Sequence, residues 1–353
     1  MTLLALALPA CADGSRAPSA TDLPTVAFLF DGSPPDAELV TAPALAGLEL
    51  AAHRTGAIEI EPVDVGLAPA DVTTSLQDLV EDRGVVAAVI APWTAPPNGA
   101  VDLLAAHGLP VVSLSSAWGP PAPGDGLWLS LVVDPPREAV LLLSAADVAP
   151  EGAPVCLAGD GLATSRALLA TAEELARAAG DPEVQTADTG CPVLAWTGGA
   201  PGAEAVLRSR ADDVPSVVVG TSRIKTDDGL ALATSAVDVL TVCACADVTL
   251  TLHPILQRFV HDVQADSGAP PGPFTVEAYD AGSLLASIVT DIPGDDPRAG
   301  VVAALGGAAD VEGIAGDYAF EPDGARAPRT MPVGVWRAAG TRWLPVERST
   351  VPP

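Results

Sequence analysis

The chain has 353 residues, 49% of them hydrophobic and only 4% aromatic, so it carries ample material for a core of Ala, Val and Leu, and disorder of the whole chain is excluded. That length suggests two domains. Its 45 acidic and 17 basic residues give a formal net charge of -28, a field that repels a phosphate backbone and an anionic lipid surface, and nucleic acid is excluded as a partner.

The chain opens MTLLALALPAC. The apolar stretch Leu3 to Leu8 is too short to span a bilayer, which takes about 20 apolar residues. With Leu8-Pro9-Ala10 ahead of Cys11, residues 1–11 read as the end of a secretory signal with a lipobox, and Cys11 as the lipid attachment point. A basic n-region is missing, so the true translation start is expected upstream. Residues 12–23, rich in Ser, Pro, Asp and Ala, read as a flexible tether. This places the chain outside the cell, anchored to the outer face of the cytoplasmic membrane.

From there strands and helices alternate. Val26–Phe30 is an apolar strand ended by Asp31-Gly32-Ser33-Pro34-Pro35, and Ala37–Arg54 is a helix with Leu39, Leu45, Leu48 and Ala52 near helical spacing. Strands follow at Ile58–Val65, Val85–Ala91, Leu109–Leu114 and Leu127–Val133. Between them lie helices at Thr73–Asp82, capped by Thr73 or Thr74, and at Ala100–His107, stopped by Gly108. Pro135-Pro136 opens a helix to Ala149, and a second series begins with strand Pro154–Gly159 and helix Ala163–Ala179. Strands at Val184–Ala187, Pro192–Trp196, Ser216–Gly220 and Val237–Cys245 follow, with helices at Ala203–Arg210 and Pro254–Ala265. Helices at Val276–Thr290 and Arg298–Gly306 precede hairpins from Tyr318 to Val346. Such alternation predicts α/β architecture with parallel sheets covered on both faces, in two tandem units that break near Asp134.

Four cysteines remain: Cys156, Cys191, Cys243 and Cys245. In an exported protein an even number suggests disulfides, and four allow three pairings. Cys156 with Cys191 is favoured, because the two open strands expected to be neighbours, whereas Cys243 and Cys245 point to one face of a strand. The four histidines, at 53, 107, 253 and 261, are scattered, and no Cys/His spacing suits zinc. No metal or other cofactor is expected. Nor is an enzyme: there is no Gly-x-Ser-x-Gly elbow, His-Glu-x-x-His or phosphate loop with a lysine. Gly159-Asp160-Gly161 follows a strand, but Thr164 replaces the third small residue of a dinucleotide fingerprint and Asp160 would face the pyrophosphate.

Several collinear segments resemble the leucine/isoleucine/valine-binding family of type I periplasmic binding proteins. They are Ala46-Gly47-Leu48-Glu49-Leu50-Ala51-Ala52 with Gly56-Ala57-Ile58, then Val89-Ile90-Ala91-Pro92-Trp93-Thr94 and Gly108-Leu109-Pro110-Val111-Val112-Ser113. Glu277-Ala278-Tyr279-Asp280-Ala281 and Tyr318-Ala319-Phe320-Glu321-Pro322-Asp323-Gly324, with Val333-Gly334-Val335-Trp336, complete the series from about residue 24 onward. The resemblance implies two doubly wound parallel-sheet lobes joined by three hinge crossovers, near Asp134, Ala269 and Ile314. Lobe one would hold residues 24–134 and 272–313, and lobe two residues 135–271 and 314–350. It implies a small ligand between the lobes, at strand C-termini and helix N-termini, and a hinge motion that closes on it. The loops placed there contain Ser33, Trp93, Thr94, Ser115, Ser116 and Trp118 in lobe one, and Asp160, Thr197, Thr221 and Ser222 in lobe two. Trp93 and Trp118 would lid an apolar or ring-bearing ligand, and Thr94, Ser115 and Ser116 would bond a carboxylate.

Three departures touch the groups that hold a free amino acid in such relatives. Ala117 stands where a Thr commonly follows the serine pair, Gly161 to Ser165 offers no Tyr, and Ala233-Thr234-Ser235-Ala236 offers no acid. Asp31, Asp160, Asp227 or Asp228 is the expected replacement charge. The function implied is capture of a small ligand, an amino acid or related compound, for an ABC importer, with a membrane permease as partner. The alternative is a ligand-sensing or partner-binding lipoprotein of the same fold with no transport role.

Overall fold

Two separate sheets grow from this alternating pattern. The computed structural model describes residues 23–66, 69–117, 128–146, 153–181, 184–186, 190–210, 213–243, 245–246, 248, 253–292, 296–314, 316–321, 324 and 334–346. The expectations for Cys11, for the tether up to residue 22 and for Trp118 lie outside the described residues.

The first sheet is built from β1 (Thr25–Phe30), β2 (Glu59–Asp64), β3 (Val85–Ile90), β4 (Val111–Ser113) and β5 (Trp128–Ser130), with α1 (Ala37–Thr55), α2 (Pro69–Glu81) and α3 (Ala100–Ala106) as crossovers. Its order is β2-β1-β3-β4-β5, parallel throughout. All six residues of β3 are buried, as an unbroken Val/Ala/Ile run requires of a central strand covered on both faces. β2 is the edge, and it tolerates Pro62, which has no N–H for a second neighbour. Helix α2 begins at Pro69 rather than at Thr73, because proline suits the first turn of a helix.

The second sheet contains β6 (Val155–Ala158), β7 (Val184–Thr186), β8 (Val193–Trp196), β9 (Val217–Thr221), β10 (Asp238–Cys243), β13 (Gly334–Ala339) and β14 (Arg342–Pro345). It runs β14-β13-β10-β9-β8-β6-β7, and only β13 is reversed, antiparallel to β10 on one side and to β14 on the other. Its helices are α4 (Pro135–Ala146), α5 (Ala163–Ala179), α6 (Ala200–Ser209) and α7 (Asp227–Ala231), with a 3-10 turn at Ser222–Ile224. Three further helices, α8 (Pro254–Ser267), α9 (Thr275–Asp291) and α10 (Pro297–Gly306), and the small β11 (Asp310–Val311) and β12 (Tyr318–Ala319) pair complete the described fold.

The packing of the described residues bears on where the chain passes between the lobes. The first crossover stands near Asp134: Val132 packs in the core of lobe one and Val133 in that of lobe two. The second lies just after β10. Ala246, Val248, Phe259 and Val263 pack with Leu50 of α1 and Val276 of α9, so α8 belongs to lobe one, not lobe two. Arg54 confirms it, pairing with Asp262 of α8 while donating to the Tyr279 hydroxyl at 2.9 Å. Residues beyond Ile314, up to Gly324, also stay with lobe one. Tyr318 packs in the lobe-one core and donates to Asp280 at 2.6 Å, and Ser130 N–H donates to the Gly324 carbonyl at 3.0 Å. An apolar helix stripe reads the same whichever sheet it covers, so sequence periodicity could not assign these segments.

Lobe one is clamped by the α1–α9 crossing. A Cβ at Gly47 would strike the Thr275 carbonyl, and one at Gly282 would strike Leu48 and Ala51, so both positions need glycine for the helices to meet. In lobe two, β6 and β8 are neighbours and Cys156 is bonded to Cys191. Cys243, the last residue of β10, is bonded to Cys245 just beyond the strand. The strand ends before Cys245, so these two do not share a strand face as expected.

Candidate ligand cleft

The loops after the strands meet along one seam between the lobes. On the lobe-one side β3 leads into Trp93 and Thr94. Trp93 is half-buried and sits at φ 60°, a left-handed backbone that is uncommon for a bulky residue. Thr94 is fully buried, and among the described residues its Oγ1 has no hydrogen-bond partner. Ser115, after β4, donates its hydroxyl to the Thr94 carbonyl at 2.8 Å and ties the two loops together. Ser116 reaches across the seam and donates to Glu138 Oε2 of α4 at 3.0 Å. Trp93, Leu114, Ser116, Val132, Val133, Glu138 and Phe274 enclose a cavity of about 10 Å³, room for about one water. Burial there pushes the Glu138 carboxyl up to about 7, and the Ser116 bond only partly opposes it.

On the lobe-two side the centre is a residue absent from the sequence expectations. Arg223, in the turn after β9, is 2% exposed. Its Nε and Nη2 donate to the two carboxylate oxygens of Asp36 at 3.0 and 2.6 Å. Its Nη1 donates to Asp160 Oδ2 at 3.1 Å. Asp36 precedes α1 in lobe one, so this ion pair crosses the seam. Asp160 is anchored within lobe two: Gly199 N–H donates to Oδ2 at 2.9 Å and Leu162 N–H to Oδ1 at 3.0 Å. Gly199 lies so near that a Cβ there would strike the Asp36 carboxylate.

The expected site residues divide accordingly. Asp160 lies in the seam, but its charge faces Arg223 instead of an open cleft. Thr221 caps the turn, its Oγ1 accepting from Arg223 N–H at 3.4 Å, and Ser222 is buried beside it. Thr197 is a strut: its Oγ1 lies 2.9 Å from Ser165 Oγ and fully inside lobe two. Ser33 is exposed and donates to Asp31 Oδ1 at 2.5 Å, within its own loop. Reasoning from sequence missed Asp36, Arg223, Glu138 and Phe274. The available signal was position alone, since Asp36 ends the loop of Ser33 and Arg223 follows Thr221-Ser222.

Residues 25–193 match the family described as periplasmic binding protein. The two α/β lobes have the fold of type I periplasmic binding proteins. Within that class it is similar to the leucine/isoleucine/valine-binding proteins. Over 92% of this chain and 97% of theirs it superposes on the leucine-binding protein LivK of Thermotoga maritima MSB8, with a TM-score of 0.72 and 14% identity. LivJ of Streptococcus pneumoniae, solved with isoleucine, matches over 92% of this chain and 100% of its own, with a TM-score of 0.69 and 16% identity. A solute-binding protein from R. palustris, solved with benzoate, matches over 92% and 95%, with a TM-score of 0.65 and 19% identity. No curated protein matches the chain in sequence.

Proposed function

We propose that the chain is the extracytoplasmic solute-binding component of an ABC importer, tethered by lipid on Cys11, and that it captures a small organic ligand between its lobes without catalysis. The observation that carries this is the seam itself. Loops following β3 and β4 meet loops following β6 and β9 there, and polar side chains from both sides are buried in it. A buried hydroxyl without a partner costs about 1–3 kcal/mol, so Thr94 Oγ1 is a group suited to bond a ligand that enters when the lobes part. Trp93 and Phe274 supply apolar cover beside it. The isoleucine and benzoate complexes of similar folds make amino acids and aromatic acids the first compounds to try.

Thermal unfolding of the protein against amino acids, amides, aromatic acids and sugars tests this reading. A true ligand at about 100 times its Kd adds roughly 2.7 kcal/mol, a rise of a few degrees for a chain this size. Silence across the whole panel from well-folded protein would sink small-ligand capture and favour a protein partner.

A further inference from the structure

We infer that Arg223 is the receptor for a carboxylate borne by the ligand, and that Asp36 is a tethered carboxylate that holds its place when the lobes meet. The inference rests on solute binding as proposed above and names the ligand class.

A guanidinium presenting Nε and one Nη to two oxygens of one acid is the geometry of bidentate carboxylate recognition, and Arg223 has it toward Asp36. The two acids around it are not equivalent. Asp160 sits on the same lobe and is held by two backbone N–H groups besides Arg223. The Asp36 carboxylate, among the described residues, is bonded to Arg223 alone, and it makes no side-chain cap to its own helix. When the lobes part, the Asp36 contact must break while the Asp160 contact can stay. What remains on lobe two is a charge-balanced Arg–Asp pair whose bidentate edge faces the cleft.

A guanidinium that is only 2% exposed cannot return to the seam with that edge empty, because an unpaired buried charge is strongly unfavourable. A neutral ligand leaves the charge of the edge unmatched, and a cation is repelled by the guanidinium that Asp160 still holds there. A carboxylate fills it with the same oxygen pair that Asp36 supplies. Asp36 is thus a built-in competitor that sets a threshold for ligand binding.

The experiment is chemical rescue. Asp36→Ala deletes the tethered acid and leaves space for acetate at Arg223. The variant should melt several degrees below the parent, and millimolar acetate should restore part of the loss. Acetamide and methylammonium should not. Asp36→Ala combined with Arg223→Gln should show no acetate response. A carboxylate ligand from the panel should bind Asp36→Ala roughly tenfold more tightly than the parent, having lost its competitor. If Asp36→Ala does not fold, Asp36→Asn keeps the shape and the affinity comparison is made there. An acetate shift equal in parent and variant, or one that survives without Arg223, would overturn the assignment. Acetate rescue with a silent ligand panel would instead strike only at solute capture, so the two readings fail separately.

Discussion

Asp36 and Glu138 both bury a carboxyl group where the lobes meet, yet the protein treats them in opposite ways. Asp36 faces a guanidinium that meets both of its oxygens, at 2.6 and 3.0 Å. Glu138 is given one hydroxyl, Ser116 at 3.0 Å, and apolar walls, so burial lifts it to about 7. One acid is held by an opposite charge, the other by a proton. The first contact therefore depends on Arg223 being present, and the second depends on pH.

Breaking the charged contact should have the largest effect. Arg223→Gln leaves Asp36 and Asp160 buried without their cation, which should cost about 3–5 kcal/mol in urea unfolding at neutral pH. A loss below 1 kcal/mol would mean that water already reaches the seam.

Glu138→Gln sharpens the contrast. The folded-state value near 7 lies above the ordinary 4.5, so the folded protein binds this proton more tightly than the unfolded chain. The group's favourable contribution is full below about pH 4.5 and disappears as pH rises through 7. The Gln variant should match the parent near pH 5 and exceed it by about 2–3 kcal/mol at pH 8. Equal stability at both pH values would show that Glu138 is ionised and solvated. The smallest effect belongs to Thr94→Val. It removes at constant shape a buried hydroxyl that is unpartnered among the described residues, so stability should rise by about 1 kcal/mol, the low end of that cost, while ligand affinity falls. Unchanged affinity would remove Thr94 from the cleft.

The strands were legible because their residues leave no choice. Val85-Val86-Ala87-Ala88-Val89-Ile90 has no polar face to turn to water, so it must be a doubly covered strand, and it is. The lobe boundaries were less legible. The stripe of α8 is apolar enough to cover either sheet, and contacts made only in three dimensions, such as Phe259 against the Tyr279 ring at 5.1 Å between centroids, reveal which. The seam was legible as a set of loops and not as chemistry. Asp36 and Arg223 stand 187 positions apart, and a lone Arg after a strand ordinarily points to solvent. Nothing local distinguishes a surface arginine from one that a distant aspartate will capture. Asp160 is expected from its charge alone, and in the structure that charge faces Arg223.

The interleaving of the two lobes along the chain bears on when they can fold. The lobe-one core joins Val26 and Phe28 to Leu285, Val301 and Tyr318, and the lobe-two core joins Val155 and Val193 to Val335. Neither core closes until β13 and the segments before it have been made, and closing such distant contacts is slow. A chain that still lacks β13 therefore completes neither core, and both lobes wait on nearly the last described segment.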